Sequence, residues 1–184
     1  MRRIVRRRLA LFAVAMLYVV MLAGCAGEGS TRILGYYGDP RAWGRHRGID
    51  VDAAKGDPVI AAADGMVTRA TEHDGCVAVR HSMGDTISWW TLYCHMDEID
   101  VELHQEVKRG EVLGKAGTVG RTLGIPHVHF ELWQDQPGRT VDPLPFIVGC
   151  FDPVKTVPYS VPGERKPHPV LTYPVRCART QWGK

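Results

Sequence analysis

Short apolar runs alternate with polar residues along most of the chain, and glycine, proline and aspartate separate them. Two such runs, 58–62 and 65–71, are divided by an Asp-Gly pair, which favours a β-hairpin turn. A second hairpin is predicted with arms at 76–80 and 86–95 and a Gly-Asp tip. No helix of ten residues is indicated by apolar spacing. The pattern predicts an all-β fold of antiparallel sheets with hairpins and little helix.

One predicted strand carries two histidines on the same face. In HVHFEL, residues 127–132, His127, His129 and Glu131 point one way, because side chains two apart share a strand face. The three apolar residues between them point towards the core. This face is either an ordinary solvated surface of a half-buried sheet or a functional site that uses both imidazoles.

A second segment supplies further candidate ligands. WGRHRGIDVDA places His46 four residues before Asp50, and the flanking glycines favour a loop that enters a strand over a helix. An imidazole, a carboxylate and a distant imidazole are the ligands of a catalytic zinc site, which keeps one position open for water. Asp52 is the alternative carboxylate. In TLYCHM, strand alternation places Tyr93 and His95 on one face.

The first 24 residues read as an export signal: a leader with five arginines, an apolar run of sixteen residues and then LAGC, which ends at Cys25. LAGC resembles a bacterial lipobox, which implies cleavage before Cys25 and lipidation of its thiol. In lipoproteins of this type, a residue other than aspartate at position 26 directs sorting to the outer membrane of a Gram-negative cell, facing the periplasm. The alternative is an uncleaved membrane anchor.

Removal of this leader reverses the sign of the net charge. Lys and Arg fall from 23 to 18 against 20 Asp and Glu, so the charge changes from +3 to −2. The basic balance belongs to the leader, and we expect no nucleic-acid partner. Four cysteines remain, and in an exported chain they suggest two disulfides. Three pairings are possible. Sequence proximity favours Cys76–Cys94 and Cys150–Cys177. The alternatives are free thiols, or Cys94 as a metal ligand because it adjoins His95.

Several elements occur together in a known order: HRGID, YCH and HVHFE, with GDPVIAAADGMV and VKRGEVLGKAGTVG in the intervals. Over residues 44–146 they resemble the lysostaphin-type zinc metalloendopeptidases, which cut peptidoglycan cross-links. The resemblance implies a β fold with a groove, one Zn²⁺ per chain, and peptidoglycan as substrate.

The resemblance also implies residue roles. His46, Asp50 and His129 become the zinc ligands, and His95 and His127 the catalytic histidines that do not bind metal. We expect His127 to act as the base and His95 to stabilise the oxyanion. Some members of the family have lost ligands and serve only as binding or activating modules, whereas this chain keeps all five residues.

Two residues are weaker candidates beside the site. Tyr93 either donates a hydrogen bond towards the substrate or packs within its strand. Glu131 either accepts a hydrogen bond from a ligand histidine or is a surface carboxylate.

The predicted organisation is a lipoprotein signal at 1–24, a tether at 25–38, the zinc peptidase domain at 39–150 and a proline-rich tail at 151–184. The predicted function is a membrane-tethered endopeptidase of peptidoglycan cross-links. Two alternatives are a non-catalytic peptidoglycan-binding or amidase-activating envelope lipoprotein, and a structural lipoprotein that binds a protein partner through its tail.

Overall fold

The computed structural model describes residues 31–82, 88–158 and 167–177, which all lie in one compact unit. These residues form thirteen short strands and two single 3₁₀ turns, Glu72–Asp74 and Leu144–Phe146. The strands are β1 (Ile33–Gly35), β2 (Pro40–Arg41), β3 (Gly44–Arg45), β4 (Ile49–Asp52), β5 (Pro58–Ile60), β6 (Gly65–Thr71), β7 (Cys76–Ser82), β8 (Ser88–Cys94), β9 (Met96–Ile99), β10 (Glu106–Val107), β11 (Val112–Ala116), β12 (His127–Gln134) and β13 (Thr140–Val141). The expected all-β fold is confirmed.

The strands form three antiparallel sheets. The main sheet has the order β1-β4-β12-β8-β7-β6-β10, and β13 pairs with β12 outside this path. A three-stranded sheet has the order β5-β11-β9, and β2 pairs with β3. In the main sheet, β12 lies between β4 and β8, so the histidine strand has a partner on each side.

A cluster of buried apolar side chains joins the main sheet to the three-stranded sheet. Val128, Phe130 and Leu132 of β12 have no exposed surface and belong to it, together with Leu113 of β11. Burial of a side chain of this size stabilises the fold by about 1.5–3 kcal/mol. The alternation of β12 therefore orients its histidines: three apolar side chains hold one face against the core, and the other face carries the imidazoles.

The first hairpin prediction is wrong, because β5 and β6 belong to different sheets. Ala61, Ala62 and Ala63 are fully buried, so the chain crosses the core between the sheets and does not turn back on itself. The Asp64 carboxylate accepts a hydrogen bond from the Arg109 backbone N–H at 2.8 Å and so caps a different turn. At Gly65 a Cβ would lie 2.5 Å from the Arg80 carbonyl oxygen, so glycine permits a close approach to β7.

The second hairpin is present as β7 and β8, with Val77 opposite Tyr93 and Ser82 opposite Ser88; its predicted tip lies outside the described residues. Both disulfides expected from sequence proximity are present in the structure, Cys76–Cys94 and Cys150–Cys177.

Residues on both sides of the predicted domain, 39–150, pack against it. β1, within the predicted tether, pairs with β4 and gives this strand a second partner. At the other end, Leu171 and Val175 are buried in the main core. The backbone N–H of Ile60 donates to the Pro174 carbonyl at 2.8 Å, so the tail covers the open edge of β5. The sequence did not reveal this, because prolines exclude regular structure but not packing.

The leader and Cys25 lie outside the described residues. Within 31–82, 88–158 and 167–177, no helix is long and apolar enough to cross a membrane.

Candidate active site

Two neighbouring strands and one loop bring the three predicted ligands together. Asp50 of β4 lies directly opposite His129 of β12, and His46 follows the short strand β3. His46 Nε2, Asp50 Oδ1 and His129 Nδ1 form a triangle in which each pair of atoms is 3.0 Å apart. These three residues form a group of side chains able to hold a metal ion. Asp52 does not belong to this group, and its carboxylate pairs with Arg32 at 3.2 Å.

Zinc fits the spacing and the atom types of this triangle. Zinc bonds of about 2.0–2.1 Å in a tetrahedral site separate neighbouring ligand atoms by about 3.3 Å, close to the observed 3.0 Å. Two nitrogens and one carboxylate oxygen are ligands that zinc accepts. A small opening of the triangle, from 3.0 Å to about 3.3 Å, completes the fit.

The outer atom of each candidate ligand is also held. His46 Nδ1 lies 2.8 Å from the Tyr36 carbonyl oxygen and must donate to it, because a carbonyl only accepts. His129 Nε2 lies 3.1 Å from Glu131 Oε1. Asp50 Oδ2 accepts a hydrogen bond from Arg41 at 2.8 Å. These contacts fix each ring and leave the inner nitrogens and Asp50 Oδ1 facing one another, as metal ligands require.

The electrostatics of the site favour a positive charge. Burial opposes ionisation of Asp50, but hydrogen bonds to His129 and His46 outweigh it and hold its pKa far below the ordinary 3.8. Burial disfavours the imidazolium of His129, yet hydrogen bonds to Asp50 and Glu131 raise its pKa to about 9. Three converging lone pairs are stabilised by a cation placed between them, so this arrangement of an ionised carboxylate and two imidazoles suits a metal ion.

Glu131 is not a surface carboxylate. Its side chain is buried and accepts hydrogen bonds from His129 Nε2 and from the Trp133 indole N–H. Burial opposes ionisation, but these hydrogen bonds outweigh it and lower the pKa of Glu131. Glu131 therefore occupies the position expected of a residue that orients a ligand histidine.

His95 and His127 form the second part of the site. Their ring centroids are 4.7 Å apart, and His127 Nε2 lies 3.6 Å from Asp50 Oδ1. His127 Nδ1 donates to the Ile125 carbonyl at 2.9 Å, and His95 Nδ1 donates to the Val119 carbonyl at 2.6 Å. Each Nε2 is therefore free of a proton when the ring is neutral. Burial lowers the pKa of His95 to about 4, so this ring is neutral near pH 7.

Of the two roles considered for Tyr93, the structure shows packing within its strand, and Tyr93 does not line the groove. Tyr93 lies opposite Phe130 on the core face and is fully buried. Its hydroxyl accepts the Ala62 backbone N–H at 2.9 Å and lies 2.9 Å from Thr91 Oγ1. His95 does not share this face, because its backbone turns at φ +72°. Cys94 is in a disulfide and is therefore not a metal ligand.

The site lies in a groove of about 620 Å³ whose rim is rich in arginine and exposed apolar side chains. Arg41, Arg47 and Arg121 line it, with Trp43 and Leu123 on the rim. The Arg121 guanidinium stacks 5.0 Å from the Trp43 ring centre. These residues carry no motif in the sequence; only the excess of arginine before and after the ligand segments could have indicated a charged groove.

Known proteins resemble the part of this chain that carries the site. The sequence model of peptidase family M23 matches residues 44–143, which are more than half of the chain. The DD-carboxypeptidase/endopeptidase Mpg of Neisseria meningitidis serogroup B is 38% identical over 105 residues, which are 55% of this chain and 23% of that protein. The peptidoglycan DD-endopeptidase ShyA of Vibrio cholerae serotype O1 is 37% identical over 90 residues, 47% of this chain and 20% of that protein.

Solved structures share the fold. LytU superposes with a TM-score of 0.55 at 29% identity, over 64% of this chain and 84% of the LytU chain. The catalytic domain of lysostaphin from Staphylococcus simulans superposes with a TM-score of 0.53 at 25% identity, over 64% of this chain and 91% of that one. The matched segments of Mpg and ShyA are less than a quarter of those relatives' length.

Proposed function

Because this chain belongs to peptidase family M23, we propose that it is a zinc-dependent endopeptidase that hydrolyses the peptide cross-links of bacterial peptidoglycan. One observation carries the proposal: His46 Nε2, Asp50 Oδ1 and His129 Nδ1 converge at 3.0 Å beside two further histidines in one groove. The names of two relatives, which include DD-endopeptidase and DD-carboxypeptidase/endopeptidase, support peptidoglycan peptides as the substrate class.

The ligand triangle would hold one zinc ion, which when bound supplies an acidic water and a Lewis acid for the scissile carbonyl. In the proposed mechanism, His127 accepts the proton that the attacking water loses, since its Nδ1–H is already committed to Ile125 and its Nε2 is bare. The resulting imidazolium then donates that proton to the leaving amine. The Ile125 carbonyl keeps the ring in one tautomer throughout.

His95 is proposed to stabilise the oxyanion of the tetrahedral intermediate. Burial keeps this ring neutral at rest, with a pKa of about 4. Negative charge that develops beside Nε2 favours uptake of a proton there from solvent water, and the protonated Nε2 then donates to the oxyanion and returns the proton to solvent when the intermediate collapses. The Val119 carbonyl, 2.6 Å from Nδ1, stabilises this imidazolium.

The charge of the groove favours an anionic peptide. Arg41 is paired with Asp50, and Arg47 lies 4.0 Å from Glu131. Arg45 and Arg121 also line the groove, and neither forms an ion pair with a carboxylate of the described residues. An unpaired guanidinium binds a carboxylate through charge-assisted hydrogen bonds. We propose that Arg121, stacked on Trp43, binds a carboxylate of the stem peptide.

We further propose that the mature chain is anchored by lipid at Cys25, in the outer membrane facing the periplasm if the cell is Gram-negative. The support is the sequence LAGC after an apolar run. Stable anchoring needs two or more acyl chains. Mass spectrometry of the native amino terminus should find a diacylglyceryl-modified Cys25, and Cys25→Ser should leave an unprocessed precursor. A soluble, unlipidated chain cut elsewhere would refute the anchor and leave the metal site unaffected.

The deciding experiment separates an enzyme from a non-catalytic binding or activating module. Purified protein is analysed for metal and then incubated with a purified cross-linked muropeptide dimer. We expect one zinc per chain, cleavage of the dimer to monomers, loss of cleavage after chelation and recovery with Zn²⁺. Binding to peptidoglycan without bound zinc and without cleavage would contradict the enzyme and favour the binding module.

A further inference from the structure

The backbone at His95 departs from the strand geometry on either side of it. β8 ends at Cys94 and β9 begins at Met96, and His95 between them has φ +72°. A left-handed conformation costs a residue with a Cβ about 1–2 kcal/mol. Continued strand alternation would place His95 on the core face with Tyr93. The kink instead brings its ring within 4.7 Å of the His127 ring.

Two cross-strand links flank this kink. On one side, Cys94 is bonded to Cys76, with a Cα–Cα distance of 4.2 Å. On the other side, the Met96 backbone N–H donates to the Gly75 carbonyl at 3.0 Å. Gly75 and Cys76, which are adjacent in the chain, thus hold Met96 and Cys94, the residues on either side of His95.

The chain at Gly75 is shaped for this contact. Gly75 has φ +61°, and a Cβ there would lie 2.4 Å from the Met96 carbonyl oxygen. Only glycine allows Met96 to approach at this position. The disulfide itself is almost fully buried, lines the groove and lies in a small cluster with Leu92 and Trp133. Cys94 also lies opposite His129 in the β8–β12 pairing, so the disulfide is on the histidine face of the sheet.

We propose that the Cys76–Cys94 disulfide positions the catalytic imidazole of His95: it holds the end of β8 so that the left-handed kink persists and His95 Nδ1 reaches the Val119 carbonyl. Without the bond, the end of β8 relaxes towards ordinary strand geometry, and His95 loses this contact. Cys76, Cys94 and Gly75 act through His95 and are therefore positioning residues. The inference rests on the proposed function only for the role given to His95 in catalysis.

The second disulfide provides a matched control. Cys150–Cys177 ties down the tail with a Cα–Cα distance of 5.8 Å, and neither cysteine lines the groove. Each disulfide is removed separately by a pair of alanine substitutions in the full chain. For each variant, kcat and KM on the muropeptide dimer, zinc content and Tm are measured. Long-range ¹H–¹⁵N spectra of the histidine rings report the tautomer of His95 directly.

For Cys76→Ala/Cys94→Ala, we expect kcat to fall by on the order of 10²-fold, as displacement of a catalytic group by about 1 Å does. KM and the zinc content should remain those of the wild type, and the Nδ1–H signal of His95 should change to that of a ring exchanging between tautomers. For Cys150→Ala/Cys177→Ala, Tm should fall while kcat and the His95 signal are unchanged. Wild-type kcat together with the wild-type His95 signal in the first variant would overturn the proposal.

Two further readouts keep the test decisive. If the first variant does not fold, Cys76→Val/Cys94→Val, which removes the disulfide and keeps apolar side chains in the cluster, replaces it: reduced kcat with zinc retained supports the positioning role, and wild-type kcat refutes it. If the wild type itself cleaves nothing, the proposed function fails. The His95 spectrum then tests the positioning alone: an unchanged ring signal without the disulfide refutes it, and a changed signal supports it.

Discussion

Asp50 and His129 face each other across β4 and β12, and their Oδ1 and Nδ1 atoms are 3.0 Å apart. This contact depends on strand register, because a slip of one residue would turn either side chain to the opposite face of the sheet. Gly48 permits the close approach before β4: a Cβ there would lie 2.2 Å from the Phe130 carbonyl oxygen. The relative position of Asp50 and His129 is therefore set by backbone pairing, and His46 reaches them from the loop between β3 and β4.

Four of the five site residues should separate into two classes on substitution. His46→Ala, Asp50→Ala and His129→Ala should each lose zinc, because each removes one corner of the ligand triangle. His127→Ala should keep zinc and lose activity by roughly 10²- to 10⁴-fold, the usual contribution of a general base. Metal analysis and dimer cleavage on the same preparations check both statements. Full zinc occupancy in His129→Ala would refute the ligand assignment.

Glu131 should tune metal affinity without binding the metal. In Glu131→Gln, the hydrogen bond to His129 is weakened and the negative charge behind the ring is lost. We expect zinc to bind about 10- to 100-fold more weakly, the usual cost of losing such a contact. Competition with a chelator measures this change. Glu98→Gln is the matched control, since Glu98 is an exposed carboxylate paired with Lys115. Equal zinc affinity in both variants would contradict the role of Glu131.

Arg121 should act in substrate binding. Arg121→Gln removes the unpaired positive charge beside Trp43. We expect KM for an anionic muropeptide to rise about tenfold, because one charge-assisted hydrogen bond contributes about that much to binding. The value of kcat should change little. The difference from the wild type should shrink at high salt. Arg139→Gln serves as control, because Arg139 pairs with Asp135 and lies outside the groove. An unchanged KM for Arg121→Gln at low salt would refute carboxylate recognition.

His81 should make the fold sensitive to acid. This ring is fully buried, and burial lowers its pKa to about 4 from an ordinary 6.5. The unfolded chain therefore binds the proton more readily than the folded chain. Above pH 6.5 the ring is neutral in both states, so its protonation does not change the free energy of unfolding. As the pH drops from 6.5 towards 4, protonation of the unfolded chain lowers the free energy of unfolding. A shift of this size corresponds to roughly 3 kcal/mol over the whole interval.

Urea unfolding of His81→Gln between pH 7 and pH 4.5 checks this prediction. The variant should lose less stability on acidification than the wild type, whatever its stability at pH 7. His73→Gln provides the comparison, because His73 is an exposed histidine in a 3₁₀ turn. Parallel pH dependence in the wild type and His81→Gln would show that another group is responsible.

Much of the ligand set could be predicted because it follows from local rules. Alternation along HVHFEL fixes which face carries His127 and His129, and the three buried apolar residues between and after them keep that face in place. The position of His46 relative to Asp50 could not be derived from alternation, since a loop joins them. It followed instead from the resemblance of the motif HRGID to a known family.

Other features depend on contacts that local patterns do not encode. An Asp-Gly pair between apolar runs favours a hairpin, yet the fully buried Ala61–Ala63 carries the chain across the core to another sheet. Strand alternation places His95 beside Tyr93, whereas a single left-handed residue separates their faces. Likewise, Leu171 lies in a proline-rich segment and is fully buried. In each case, tertiary packing overrides the local preference.

The central claim is that this groove hydrolyses peptide cross-links. Digestion of purified peptidoglycan by zinc-loaded wild-type protein, followed by mass analysis of the fragments, tests it most directly, with His127→Ala as the control. The account predicts that the wild type converts cross-linked dimers to monomers, with one water added for each bond cut, and that His127→Ala leaves the dimers intact. Intact cross-links after treatment with wild-type protein that contains one zinc per chain would contradict the account.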